Sequence, residues 1–136
     1  MKKIDIINAV NALSRIPVNK VKNDKVKFSL VANYRRLRKA AREIDEDRDV
    51  VVKKFQEDWK DEIEAVGGLR ANRQPVTGHA DFLKSEADVN KQIDAMYQED
   101  LEVEGLVPIS LEDLVKAVGD TDLSFEAVNN LDCIIA

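Results

Sequence analysis

The sequence of 136 residues has one histidine and one cysteine, so it is short of the side chains on which most site chemistry depends. A single thiol, Cys133, excludes an internal disulfide. His79 and Cys133 together cannot supply the four thiolate and imidazole ligands of a zinc site. Nucleophilic catalysis needs a base beside the nucleophile, and these two residues fall in an expected loop and an expected terminal strand with no motif joining them. Aromatic residues are 5% of the chain, and five glycines and three prolines are too few for an all-β protein rich in turns. No window approaches 18 consecutive apolar residues, so no transmembrane helix is expected. The start, Met1-Lys2-Lys3-Ile4-Asp5, lacks the apolar run of a signal peptide, and the expected compartment is the cytoplasm.

Apolar residues are 44% of the chain and charged residues 35%, a balance that suits exposed amphipathic helices in a single domain spanning 1–136. The net charge of −5 is unevenly spread. Residues 20–42 hold nine Lys/Arg against Asp24 alone, a block of +8. Residues 81–136 hold fourteen acids against Lys84, Lys91 and Lys116, a block of −11. Such blocks either face each other or solubilise two surfaces, or one of them is an electrostatic docking surface. The acidic remainder argues against nucleic acid, because it would repel phosphates.

Ile4, Ile7, Ala9, Val10 and Leu13 predict a helix over 4–14 that Pro17 ends. The runs 18–22 and 25–28 alternate around Asn23-Asp24 and predict a short hairpin. Ser29 is the expected N-cap of a helix running to about Val66. Its seam is Leu30, Tyr34, Leu37, Ala41, Ile44, Val51, Phe55, Trp59, Ile63 and Val66, interrupted by Arg48. At roughly 55 Å, this helix exceeds what one compact domain needs, which implies a projection or a packed partner. Gly67-Gly68 ends it, a loop follows over 67–81, and a helix over 83–98 completes a hairpin; Phe55 and Trp59 are expected to be buried under 83–97 or in an oligomer interface. Residues 101–104 then alternate and an extended segment continues to Ile109, Ser110 and Ser124 cap two short helices, and Cys133-Ile134-Ile135 reads as a final strand. The expected fold is α+β, mainly α: a long helical hairpin beside a small antiparallel sheet from 18–28, 101–109 and 132–135, with short C-terminal helices.

The run Asp120–Glu126 has the alternating oxygen ligands of a calcium loop's start, but Phe125 replaces its glycine and Leu131 its last glutamate. Gly67-Gly68 ends a helix and no Lys-Ser/Thr follows, so it is no phosphate loop. No residue qualifies as catalytic, metal-ligating or cofactor-binding. Arg35, Arg38, Lys39 and Arg42 share one helix side away from the seam, either as a solvated face or as a dock for an acidic partner. The expected contacts are these four cations, Phe55 and Trp59 on the seam, and Glu102, Glu104, Asp120 and Asp122 on the acidic block.

The phrases Lys27-Phe28-Ser29-Leu30-Val31-Ala32-Asn33-Tyr34-Arg35-Arg36-Leu37, Asn90–Glu104, Ile109-Ser110-Leu111-Glu112-Asp113-Leu114 and Leu123–Leu131 follow one another in a distinctive order. In that order the chain, outside the loop at 67–81, resembles a family of small phage and prophage proteins without an assigned activity. The resemblance implies phage origin and brings no site residues. The resulting expectation is a non-catalytic protein that acts by contact with a phage or host protein, in virion assembly as a structural or chaperone component, with homo-oligomerisation through the long helix open to it. The alternative is an inhibitor of a host defence enzyme, whose acidic surface imitates phosphates. Neither reading involves a cofactor or a membrane.

Overall fold

A computed structural model of the chain describes residues 1–65, 79–119 and 123–136. Six α-helices are found among them: α1 (Lys3–Ser14), α2 (Asp24–Asp58), α3 (Lys60–Ala65), α4 (His79–Tyr97), α5 (Leu111–Val118) and α6 (Phe125–Asn130). Single 3₁₀ turns cover Val18–Lys20 and Asp132–Ile134. The chain forms two compact units, one of residues 1–44 with 98–136 and one of residues 45–97.

The expected sheet is absent: among the described residues there is no strand, only two isolated bridges, Lys2 with Asp100 and Ile109 with Ile135. The fold is mainly helical rather than α+β. Where a hairpin was expected over 18–28, a 3₁₀ turn leads into α2. Asn23 is a helix cap rather than a turn residue: its Oδ1 accepts from the backbone N–H groups of Lys25 and Val26 at 3.0 and 3.1 Å. Ser29 is therefore no cap but a buried residue inside the helix. The long helix begins six residues earlier than expected and, with α3, continues to Ala65 past a single turn residue, Trp59. The helix expected over 83–98 begins at His79. Val66, Gly67-Gly68, the rest of the loop up to Gly78, and Asp120 to Asp122 lie outside the described residues.

In the first unit, α1 buries Ile6, Ala9, Ala12 and Leu13. Its start is tied down by Lys3 N–H donating to the Glu99 carbonyl, by Leu101 N–H donating to the Met1 carbonyl, and by a Lys3–Glu99 ion pair at 3.0 Å. The first five turns of α2 contribute Val26, Leu30, Asn33, Leu37, Ala40, Ala41 and Ile44 to the interior. Leu114 from α5, and Leu131 and Ile134 from the C-terminal stretch, are fully buried. Ser110 and Ser124 cap α5 and α6, each accepting an N–H bond at 3.1 Å from three residues on.

The stretch 101–104 alternates as its sequence suggests, with Leu101 and Val103 half-buried and Glu102 and Glu104 exposed. The partner of residues 101–109 is a side chain. The Asn33 amide, fully buried, accepts from Val107 N–H at 2.6 Å and donates to the Val107 carbonyl at 2.8 Å. One carboxamide thus supplies the two bonds that a neighbouring strand would give to that peptide.

The second unit is a helical hairpin in which α4 runs back along the latter part of α2 and α3. Phe55 and Phe82 are its buried pair, with ring centroids 5.5 Å apart, and Trp59 meets Phe82 edge-on at 5.4 Å. Ile63 and Val89 pack against them. Arg48, which breaks the apolar seam, donates to Tyr97 Oη at 3.4 Å and pairs with Asp49. The Tyr97 bond, helped by Asp45 and Asp49, raises the Arg48 pKa above its ordinary value.

Candidate docking surface

The functional surface begins with the period of α2. At about 100° per residue, the buried residues Val26, Leu30, Asn33, Leu37 and Ala41 fall on one side. Arg35, Arg38, Lys39 and Arg42 fall on the other, within an arc of about 100°, and all four are exposed. Residues 25–42 contain seven cations and no acid. Among the described residues the ion pairs are Lys3–Glu99, Arg48–Asp49 and Lys116–Glu112, so none neutralises this stripe. Arg38 stacks its guanidinium on the Tyr34 ring, 5.9 Å from the centroid, which steadies one cation without discharging it.

Phe28 heads the stripe. Seven residues before Arg35, it lies on the same helix face, and 73% of it is exposed. The sequence offered a signal for it only to a reader who starts the helix at Asn23. A strand reading pairs Phe28 with Val26, whereas a helix sends them to opposite sides.

The flanks of α2 differ. On one, Arg36, Lys39, Ala40 and Glu43 share a shallow depression of about 250 Å³ with Leu101, Glu102, Val103 and Glu104. Arg36 donates to the Glu104 carbonyl at 3.4 Å and lies against Gly105, where a Cβ would come within 2.6 Å of the guanidinium. Gly105 also has φ +78°, and it is this backbone that favours glycine, since the Arg36 tip could swing aside for a Cβ. The basic and acidic blocks therefore meet here. On the other flank, Leu30, Val31 and Tyr34 face Leu13, Ser14, Ile16 and Val18 across an apolar groove of about 220 Å³.

The remaining expected contacts are dispersed. Phe55 is buried and Trp59 half-buried in the hairpin of 45–97, where they serve its packing, while Asp120 and Asp122 lie outside the described residues. Cys133 is half-buried beside Asp5, Asn8 and Asp132, and burial pushes its thiol up, assisted by the two carboxylates. A thiol so placed is a poor nucleophile at neutral pH. Among the described residues no group of three or more His, Cys, Asp or Glu could hold a metal ion, and no helix is long and apolar enough to cross a membrane. Compared with family models, curated proteins and solved structures, the chain matches none.

Proposed function

We propose that the chain is a non-catalytic phage or prophage protein that acts by protein–protein contact, with an acidic partner docking on the exposed stripe of α2. The observation that carries this reading is the set Arg35, Arg38, Lys39 and Arg42, exposed, without ion pairs among the described residues, and headed by an exposed phenylalanine. Arginine and aromatic side chains concentrate binding energy at protein interfaces, and a helix holds them in fixed register at little ordering cost. The resemblance of its sequence phrases to small phage proteins supports phage origin; a place in virion assembly, as a structural or chaperone component, is drawn from the long helical seam and the separated charge blocks. Inhibition by phosphate imitation draws less support. Glu102 and Glu104 share their depression with Arg36 and Lys39, so that part of the acidic block presents mixed charge rather than a uniform anionic face.

The test is affinity capture from phage-infected or prophage-bearing cells, followed by calorimetry with the captured protein at two salt concentrations. The double variant Arg35→Glu/Arg42→Glu should weaken binding at least about tenfold and flatten its salt dependence. Its stability should stay within about 0.5 kcal/mol of the parent's, because exposed charges contribute little to folding. Loss of binding in Glu102→Lys/Glu104→Lys, with the arginine variant unaffected, would transfer the function to the acidic surface.

A further inference from the structure

We propose that the apolar groove at the end of α1 receives Phe125 of a second copy, and that the two copies exchange these rings in a two-fold pair. The groove is lined by Leu13, Ile16, Val18, Leu30, Val31 and Tyr34, with Ser14 its one polar wall, and encloses about 220 Å³. An apolar cavity of about 150 Å³ already accepts benzene, so a phenyl ring fits. Phe125 is 93% exposed, more than any other large apolar side chain among the described residues. It opens α6, a helix whose own packing on α1 leaves that ring entirely unused.

Placement and charge both name a second copy as the occupant. Ser124, Glu126, Ala127 and Asn130 line a depression with Asn11, Ala12 and Arg15, while the adjacent Leu13 and Ser14 line the groove. Ring and groove therefore flank the same last turn of α1. A two-fold contact needs this arrangement, because one surface must carry both the projection and its receptacle. Along α2 the groove wall is bracketed by cations. Lys27 lies one turn before Val31, Arg35 one turn after it, and Arg38 stacks on Tyr34. On the other side, Glu126 follows Phe125, and residues 117–136 contain no lysine or arginine. The ring, with Glu126 beside it and Arg15 across the same depression, thus meets a cation-flanked groove, twice in each pair, and Glu126 supplies the complementary charge.

The inference concerns this chain alone and stands or falls apart from docking of a foreign partner. Sedimentation of the full chain at concentrations up to about 1 mM should show a reversible dimer that weakens as salt rises. Phe125→Ser should raise the dissociation constant at least about thirtyfold, as expected for an interface anchor. Because that ring is exposed within one copy, helicity should be unchanged. Val31→Arg, which fills the groove with a cation, should have the same effect. An equimolar mixture of the two variants should associate more tightly than either alone, since it restores one intact ring-in-groove contact. A chain that stays monomeric, or a dimer that survives Phe125→Ser, overturns the proposal. Should Val31→Arg fail to fold, Phe125→Ser decides by itself.

Discussion

In residues 45–97 both phenylalanines are inside, Phe55 against Phe82, with Trp59 on their edge. In residues 1–44 with 98–136 both phenylalanines are outside, and the interior is built from Ile6, Leu30, Leu37, Leu114, Leu131 and Ile134 around Asn33. The same side chain thus does opposite work in the two units. In the smaller unit the buried pair is aromatic, while aliphatic residues such as Val50 and Leu83 stay exposed. The larger one closes its interior without an aromatic ring, around aliphatic residues and the buried Asn33 and Ser29, and Phe28 and Phe125 are left largely in solvent. A ring left in solvent gains none of the free energy that burial gives Phe55 and Phe82.

The contrast can be broken first at its aromatic end. Phe55→Ala should remove about 3–5 kcal/mol from the 45–97 hairpin, the usual cost of emptying a buried phenylalanine site. Trp59 is the chain's sole tryptophan, so its fluorescence during urea unfolding reads that unit directly. A loss below about 1 kcal/mol would mean that Phe55 and Phe82 do not form the hairpin's core. The aliphatic unit has its own critical residue. Asn33→Ala should cost about 2 kcal/mol, since it deletes two hydrogen bonds and strands the Val107 peptide; circular dichroism through a urea titration measures it. The smallest effect sharpens the contrast most. Phe28→Ser should change stability by no more than about 0.5 kcal/mol, as at an exposed site, and calorimetric unfolding will show whether it does.

The helical content and much of the α2 seam were legible, because apolar residues at three- and four-residue steps persist over many turns and admit one reading. Leu30, Leu37, Ala41, Ile44 and Phe55 are all buried. The expected sheet was a misreading, because the signals for it were short. Lys25 to Phe28 alternate over four residues only, and Asn23 suits a turn as well as a helix cap; the chain uses it as the cap. Along 101–104 the alternation is real, yet no strand lies beside it. No pattern in the sequence says that Asn33, many residues away, will act as the neighbour. The stripe of Arg35, Arg38, Lys39 and Arg42 could be read from spacing alone. Phe28 at its head could not be, since it depended on where the helix starts, and neither could the groove, which takes walls from three separate segments.

The pairing of Asn33 with Val107 also bears on the order in which the chain assembles. A strand partner can be recruited while both segments are still extended, but a carboxamide aimed inward from a helix exists as a partner only after that helix has formed. Their sequence separation of 74 makes this closure a long-range one, entered late. The stretch 101–109 should therefore dock onto an α2 already in place. Loss of the amide in Asn33→Ala should then fall on the unfolding rate and leave the folding rate nearly unchanged in stopped-flow measurements. An equal fall in the folding rate would put the contact in the nucleus instead. On this view Asn33 is a late fastener: it does little to guide the chain to its fold, and it governs how long the C-terminal third stays on.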